Sequence, residues 1–331
     1  MRKRIALVGL LVLVGGYILC SSVCAVGLAQ YALHPGRLPI AHGDQARKYA
    51  RENHADLKDV SIQAEDSETL RGWYLAPQHD NGSAVLLLHG VSDNREGVAG
   101  YAVLFAKNGY RVLLVDSRAH GESGGEIATY GIRERDDVHR WVSWLYSQAG
   151  TECVYGFGES MGAAIALQSL AVEKHFCAVA VESPFATFRE VSYERVGRFV
   201  GVGPWFGRSI GRLPIEMAFL YARLRYGVDL RQADPSAALA HSTTPVLLMH
   251  GTADVNILPL NSARLVAANS AHSTLWLVPG AVHCGAYSAA PAEFERRLLD
   301  WFAAFKSPSS LLRGSLVPSA ELSPHQVTFV P

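Results

Sequence analysis

The sequence has little cysteine, no excess of charge of either sign, and no long apolar run beyond its N-terminal segment. Five cysteines in 331 residues are too few for a disulfide-stapled scaffold. No two are spaced Cys-x-x-Cys, so neither a zinc site nor a dithiol redox motif has support. There is no His-Glu-x-x-His and no paired-carboxylate cluster, so no metal or other cofactor is implied. Lys plus Arg number 30 and Asp plus Glu number 30, which gives zero formal charge. Nucleic acid is thereby excluded as the main partner, because phosphate binding needs a clear basic excess. Hydrophobic residues make up 49% and charged residues 18%, the balance of a chain that buries a core rather than a solvating coil. The length suits one large α/β domain or two small ones.

What is present begins at the N-terminus. Arg2, Lys3 and Arg4 precede an uncharged run from Ile5 to Ala29. About 20 apolar helical residues at ~1.5 Å each cross a bilayer core, so the run is long enough to span. A secretory signal has a shorter apolar region followed by a small-residue cleavage site. Val23-Cys24-Ala25 and Gly27-Leu28-Ala29 are passable sites, and secretion after cleavage stays as the alternative. The reading adopted is an uncleaved anchor over residues 1–30. The basic cluster places its N-terminus in the cytoplasm and the rest of the chain across the membrane. Cys20 and Cys24 follow Leu19 and Val23 rather than small residues, a poor match for lipid attachment.

Residues 31–59 read as a linker and leading helix, and residues 60–306 as the main domain. There, short β-rich runs alternate with longer helical patterns, the signature of a mostly parallel sheet with helices on both faces. Val60–Ala64 and Arg71–Leu75 open as an antiparallel pair. Asp80-Asn81-Gly82-Ser83 then turns the chain, which explains its glycosylation-like triplet without further function. Buried strands are expected at Val85–Leu88, Val112–Val115, Val154–Phe157 and Ala178–Val181, with two more at Val246–Met249 and Leu275–Val278. Val138, Trp141, Val142 and Leu145 share one helical face, as do Phe294, Leu298, Phe302 and Phe305; such stripes read as core. The stretch from about 185 to 233 is too long for a simple crossover and reads as an inserted helical cap. It carries eight arginines, no lysine and four acidic residues, a net +4, which suggests that it leans on the membrane. Its Phe199, Trp205, Phe206, Phe219 and Tyr221 are candidates for an acyl pocket, although packing onto the sheet is the simpler role for each. The tail over 307–331 is rich in Ser, Pro and Leu and reads as loose.

Two segments match Gly-x-Ser-x-Gly: Gly158-Glu159-Ser160-Met161-Gly162 and Gly121-Glu122-Ser123-Gly124-Gly125. The string alone is weak, so context decides. The chemistry needs a sharp strand-to-helix turn that lifts the hydroxyl off the sheet and aims helix N–H groups at a developing oxyanion. Ser160 follows a strand and precedes the small residues of a helix start. Ser123 lies well past its strand and starts no helix, so it reads as a loop serine.

A serine needs an adjacent base, itself oriented by a third group. For this elbow the expected chain order is Ser, then Asp or Glu, then His. Asp254 sits in the loop after one later strand and His283 in the loop after the next. Both loops leave the carboxyl edge of the sheet, where ligands bind in such architectures. Glu182 is the runner-up acid and reads as structural; Asp116 breaks the order. His89 and His250, each in a His-Gly after a strand, read as turn-shaping. Gly90 lets the backbone turn so that the Val91 N–H faces the acyl oxygen, and the Met161 N–H is the second donor.

Together, His89-Gly90-Val91, Asp116–Gly124, Gly158–Gly162, His250–Asp254 and Gly280–His283 make the sequence resemble the α/β-hydrolase superfamily over residues 60–306. The resemblance is to the branch of membrane-anchored esterases and serine-aminopeptidase-like proteins. It implies an eight-stranded sheet, the triad Ser160, Asp254 and His283, oxyanion donors Val91 and Met161, and a structural loop over Asp116–Gly124. Cys284 after His283 is unusual for it. The expected activity is acyl transfer to water from a small ester or thioester; a peptide bond is the second option. A non-catalytic binding protein on the same fold is the reading from a different class.

Overall fold

The structure, a computed structural model, describes residues 1–41 and 45–306; the expected loose tail over 307–331 lies outside the described residues. Eight strands form one sheet: β1 (Asp56–Gln63), β2 (Thr69–Ala76), β3 (Ser83–Leu88), β4 (Arg111–Val115), β5 (Cys153–Glu159), β6 (Phe176–Glu182), β7 (Val246–Gly251) and β8 (Ser273–Val278). Their order is β1-β2-β4-β3-β5-β6-β7-β8. β1 pairs antiparallel with β2 and β2 with β4, and every later pairing is parallel. The mostly parallel sheet and its antiparallel opening are as expected from the residue pattern.

The helices are α1 (Arg2–Leu33), α2 (Gln45–Glu52), α3 (Ala99–Lys107), α4 (Glu134–Ser147), α5 (Met161–Ser169), α6 (Phe188–Phe199), α7 (Pro204–Arg208), α8 (Arg212–Tyr226), α9 (Pro235–Ala240), α10 (Leu260–Ala268), α11 (Ala286–Ala289) and α12 (Pro291–Ala304). They cover both faces because the central strands are apolar on both. Leu86, Leu88, Leu113 and Val115 face one core with α4 and α5. Val85, Leu87, Val112 and Leu114 face the other, with α3 and α12. Val138, Trp141, Val142 and Leu145 are buried, as are Phe294, Leu298 and Phe302, while Phe305 is only partly so. Such two-sided burial is what near-continuous hydrophobic strands require.

The insertion between β6 and β7 holds α6, α7 and α8. α1 is long and apolar enough to cross a membrane by length and composition. Its last third is not free. Ser21, Ala25, Ala29 and Leu33 form a buried stripe at four-residue spacing, and Ala25 and Ala29 pack with Ala218 of α8. Small residues at that spacing let two helix backbones approach closely. Hydrogen bonds fix the alignment at both ends. The Tyr17 hydroxyl donates to the Ile210 carbonyl at 2.6 Å, and the Gln30 amide donates to the Tyr226 hydroxyl at 2.9 Å. α8 therefore runs alongside α1 in the same direction.

One feature was not legible in cysteine spacing. Cys153 and Cys177 form a disulfide between β5 and β6, with Cα atoms 5.9 Å apart and a sequence separation of 24. Cys177 falls where the register of β5 and β6 shifts, next to Phe176.

Candidate active site

Ser160 sits between β5 and α5 with φ 51° and ψ −114°. A side chain in the left-handed region is strained, and such strain persists only where neighbours enforce it. Here they do. A Cβ at Gly158 would meet the Gly162 carbonyl at 2.5 Å, and one at Gly162 would collide with the Leu88 and His89 carbonyls. The Ser160 N–H donates to the Glu182 carbonyl at 2.9 Å, tying the elbow to β6.

The loops after β7 and β8 bring two more side chains to this point. The Ser160 hydroxyl lies 2.9 Å from His283 Nε2. His283 Nδ1 lies 2.7 Å from Asp254 Oδ2. Asp254 Oδ1 accepts the N–H groups of Asn256 at 2.8 Å and Ile257 at 3.0 Å. Burial alone would raise the Asp254 carboxyl. Hydrogen bonds from His250 and His283, the charge of His283 and the Ile257 N–H outweigh it and hold the group well below the usual carboxylate range. Asp254 is therefore an anion that favours a proton on His283 Nδ1 and leaves Nε2 to accept from Ser160.

His250 has a role that sequence reasoning missed. Its Nε2 is 2.9 Å from the Ile257 carbonyl and 3.3 Å from Asp254 Oδ2, and its Nδ1 is 2.7 Å from the Ser262 hydroxyl. Both partners of Nε2 only accept, so Nε2 carries the proton and Nδ1 accepts from Ser262. The ring steadies Asp254 from the side opposite His283. The four-residue spacing of His250 and Asp254 was the available signal.

His89 is buried and shapes its turn as expected. Its ring bonds the Gly90 carbonyl at 2.7 Å and accepts the Ser117 N–H at 3.0 Å. Val91, Met161 and Ser160 all border one cavity. The Val91 N–H has no backbone or side-chain acceptor among the described residues. Met161 opens α5, where first-turn N–H groups have no helical partner. Ser123 is buried elsewhere: its hydroxyl donates to the Asp116 carbonyl at 2.7 Å and accepts the Arg71 N–H at 2.9 Å. Asp116 accepts the Arg95 N–H at 2.8 Å and the Glu122 N–H at 2.9 Å. That segment is a structural loop.

Glu182, the runner-up acid, accepts the Ala286 N–H at 2.7 Å and so ties down the loop carrying His283. It is registered opposite Glu159, and the Tyr101 hydroxyl stands 3.4 Å from a carboxylate oxygen of each. Burial, then the nearby Glu182 charge, pushes Glu159 up to about 8. Because this folded-state value lies above the ordinary 4.5, the contribution of Glu159 to stability is fully present below that pH and is lost as pH rises through about 8. Glu159→Gln cannot ionise. Its melting temperature relative to wild type is expected to rise by a few degrees between about pH 6 and about pH 9. A pH-independent difference would refute the assignment. Cys284 adopts φ 50° and its N–H donates to the Ser183 hydroxyl at 3.3 Å, so the unusual residue is accommodated in the His283 loop.

The cavity at Ser160 has a volume of about 680 Å³, within the ~300–1,000 Å³ typical of small-molecule sites. Phe199 and Phe219 line it; Trp205, Phe206 and Tyr221 do not, because they sit on other faces of the cap. Leu28, Ala29 and Ala32 of α1 do line it, which the sequence pattern did not suggest.

A serine in a left-handed strand-to-helix turn, at the carboxyl edge of a sheet of this order, defines an α/β-hydrolase architecture. The family described as Serine aminopeptidase, S33 matches residues 79–236. The YqkD protein of Bacillus subtilis is 32% identical over 224 residues, covering 66% of this chain and 70% of that protein. Mouse lysophosphatidylserine lipase ABHD12 is 26% identical over 206 residues, 58% of this chain and 46% of that one. The Pyrococcus furiosus esterase Pf2001 superposes with a TM-score of 0.66 at 23% identity, over 83% of this chain and 100% of that chain. The chain belongs to the α/β-hydrolase superfamily and is a hydrolase of that fold.

Proposed function

We propose that the protein is a membrane-anchored serine hydrolase that cleaves carboxylic esters or thioesters through an acyl-enzyme. The observation that carries this reading is the 2.9 Å and 2.7 Å chain from Ser160 through His283 to Asp254, opening on an apolar cavity. Ser160 Oγ attacks the acyl carbon while its proton passes to His283 Nε2. Asp254 stabilises the imidazolium. The Val91 and Met161 N–H groups bind the oxyanion, and each such donor is worth about 3 kcal/mol in the transition state. His283 then hands the proton to the leaving oxygen or sulfur. Water, deprotonated by the same nitrogen, releases the acid and restores Ser160.

An ester is favoured over an N-terminal peptide substrate by the charge of the cavity. Among the described residues its wall includes Arg195 and Arg198 and no Asp or Glu, so none of them neutralises a substrate ammonium group. A panel of p-nitrophenyl esters of increasing acyl length is expected to be hydrolysed, with aminoacyl-anilides turned over at least about 10²-fold more slowly. Equal or faster anilide cleavage would replace the esterase reading by a peptidase.

For topology, α1 is read as an uncleaved anchor with a cytoplasmic N-terminus and the hydrolase domain outside. Arg2, Lys3 and Arg4 support the orientation. The Cys153–Cys177 disulfide supports it too, since such bonds persist in oxidising compartments.

A further inference from the structure

The last turns of α1 are part of the substrate site. Leu28, Ala29 and Ala32 wall the Ser160 cavity beside Ile215 and Phe219 of α8. The opposite wall is one face of α6: Phe188, Val191, Arg195 and Phe199 recur at helical spacing from the serine to the far end of the helix. At ~1.5 Å per residue that stripe is roughly 17 Å long.

The far end of the stripe points at the bilayer. Counted from Ile5, about 20 residues carry α1 through a ~30 Å hydrocarbon core and bring it out near Cys24. Tyr17 lies inside that count and is bonded to Ile210. The segment joining α6 to α8 is thereby level with the outer leaflet. Its apolar side chains are turned outward: Phe199 is 92% exposed, and Val200, Val202, Trp205 and Ile210 are exposed with it. In water such a patch is unfavourable; in a leaflet it is solvated.

We infer that the substrate is a membrane amphiphile with one long acyl chain, and that this chain passes from the outer leaflet up the groove between α1 and α6 to Ser160 without crossing water. The inference rests on the serine-hydrolase reading above. One leaflet is about half of the ~30 Å core, so the roughly 17 Å stripe accommodates one full-length chain. Lifting such a chain through water would expose every methylene, whereas an apolar groove continuous with the leaflet keeps each covered.

The full chain, reconstituted in phosphatidylcholine vesicles, tests this with p-nitrophenyl palmitate in the bilayer and p-nitrophenyl acetate in solution. The readout is the ratio of kcat/KM for palmitate to that for acetate. Ala32→Trp, which fills the α1 side of the groove, is expected to lower the ratio about tenfold or more, the loss when two or more methylenes lose their burial. Phe199→Asp, at an exposed position where folding is not at stake, is expected to lower it likewise. A ratio that neither variant lowers overturns the route. Ser160→Ala separates the two claims. If it hydrolyses both esters like wild type, the nucleophile is wrong. If it loses both while the groove variants leave the ratio alone, the nucleophile stands and the route fails.

Discussion

Ser160→Ala is expected to lose fluorophosphonate labelling and to lower kcat on esters by 10⁴- to 10⁶-fold, on the order of what removing a triad nucleophile costs. The expectation follows from position more than from residue type. Ser160 is held at φ 51° with its hydroxyl 2.9 Å from His283 Nε2, at the mouth of the cavity. The serine of the second Gly-x-Ser-x-Gly segment does not take over. Ser123 has its hydroxyl committed to the Asp116 carbonyl and the Arg71 N–H. Ser123→Ala therefore keeps the label. The residual rate of Ser160→Ala reflects binding and oxyanion stabilisation alone. Labelling that survives in Ser160→Ala would remove the proposed nucleophile.

Asp254→Asn is expected to lower kcat by about 10⁴-fold with the fold intact. The asparagine amide occupies the same volume, and His250 and the Ile257 N–H still hold it. It no longer stabilises a charged His283, and an amide that donates to Nδ1 forces the proton onto Nε2, the tautomer that cannot accept from Ser160. Asp254 is held well below the usual carboxylate range, so it stays ionised and its stabilising contribution persists from neutral pH down to about 4, to be lost only in stronger acid. A fall in activity between about pH 7 and about pH 5 is then not the titration of Asp254. The kinetic check is kcat and KM measured together. A large rise in KM at constant kcat would mean that Asp254 shapes the pocket and does not orient the base.

Much of the architecture was readable because the responsible physics is local. Val85–Leu88, Val112–Val115 and Val154–Phe157 are apolar at every position, which only a strand covered on both sides satisfies, and each is such a strand. The Gly158–Gly162 string and the short run of small residues after it specify a tight turn into a helix before any partner is known. Asp254 and His283 were legible from their place after consecutive strands, since parallel strands deliver all such loops to one edge.

What escaped needed partners far apart in the chain. Cys153 and Cys177 meet only because β5 and β6 are neighbours with a shifted register. Glu159, Glu182 and Tyr101 converge because two strand ends are in register and α3 lies over them. Nothing in the composition of Ile5–Ala29 distinguishes a bare apolar helix from one whose last turns wall a cavity. That depends on the cap.

The residue pattern by itself determined the sheet, the elbow and the candidate triad, because hydrophobic periodicity and backbone sterics act over a few residues. Tertiary packing alone decided that α8 lies along α1, that the last turns of α1 and one face of α6 wall the cavity, and that His250 and the buried glutamates brace the site. Those outcomes are set by which surfaces exclude water together, a property of the assembled chain and of no single segment.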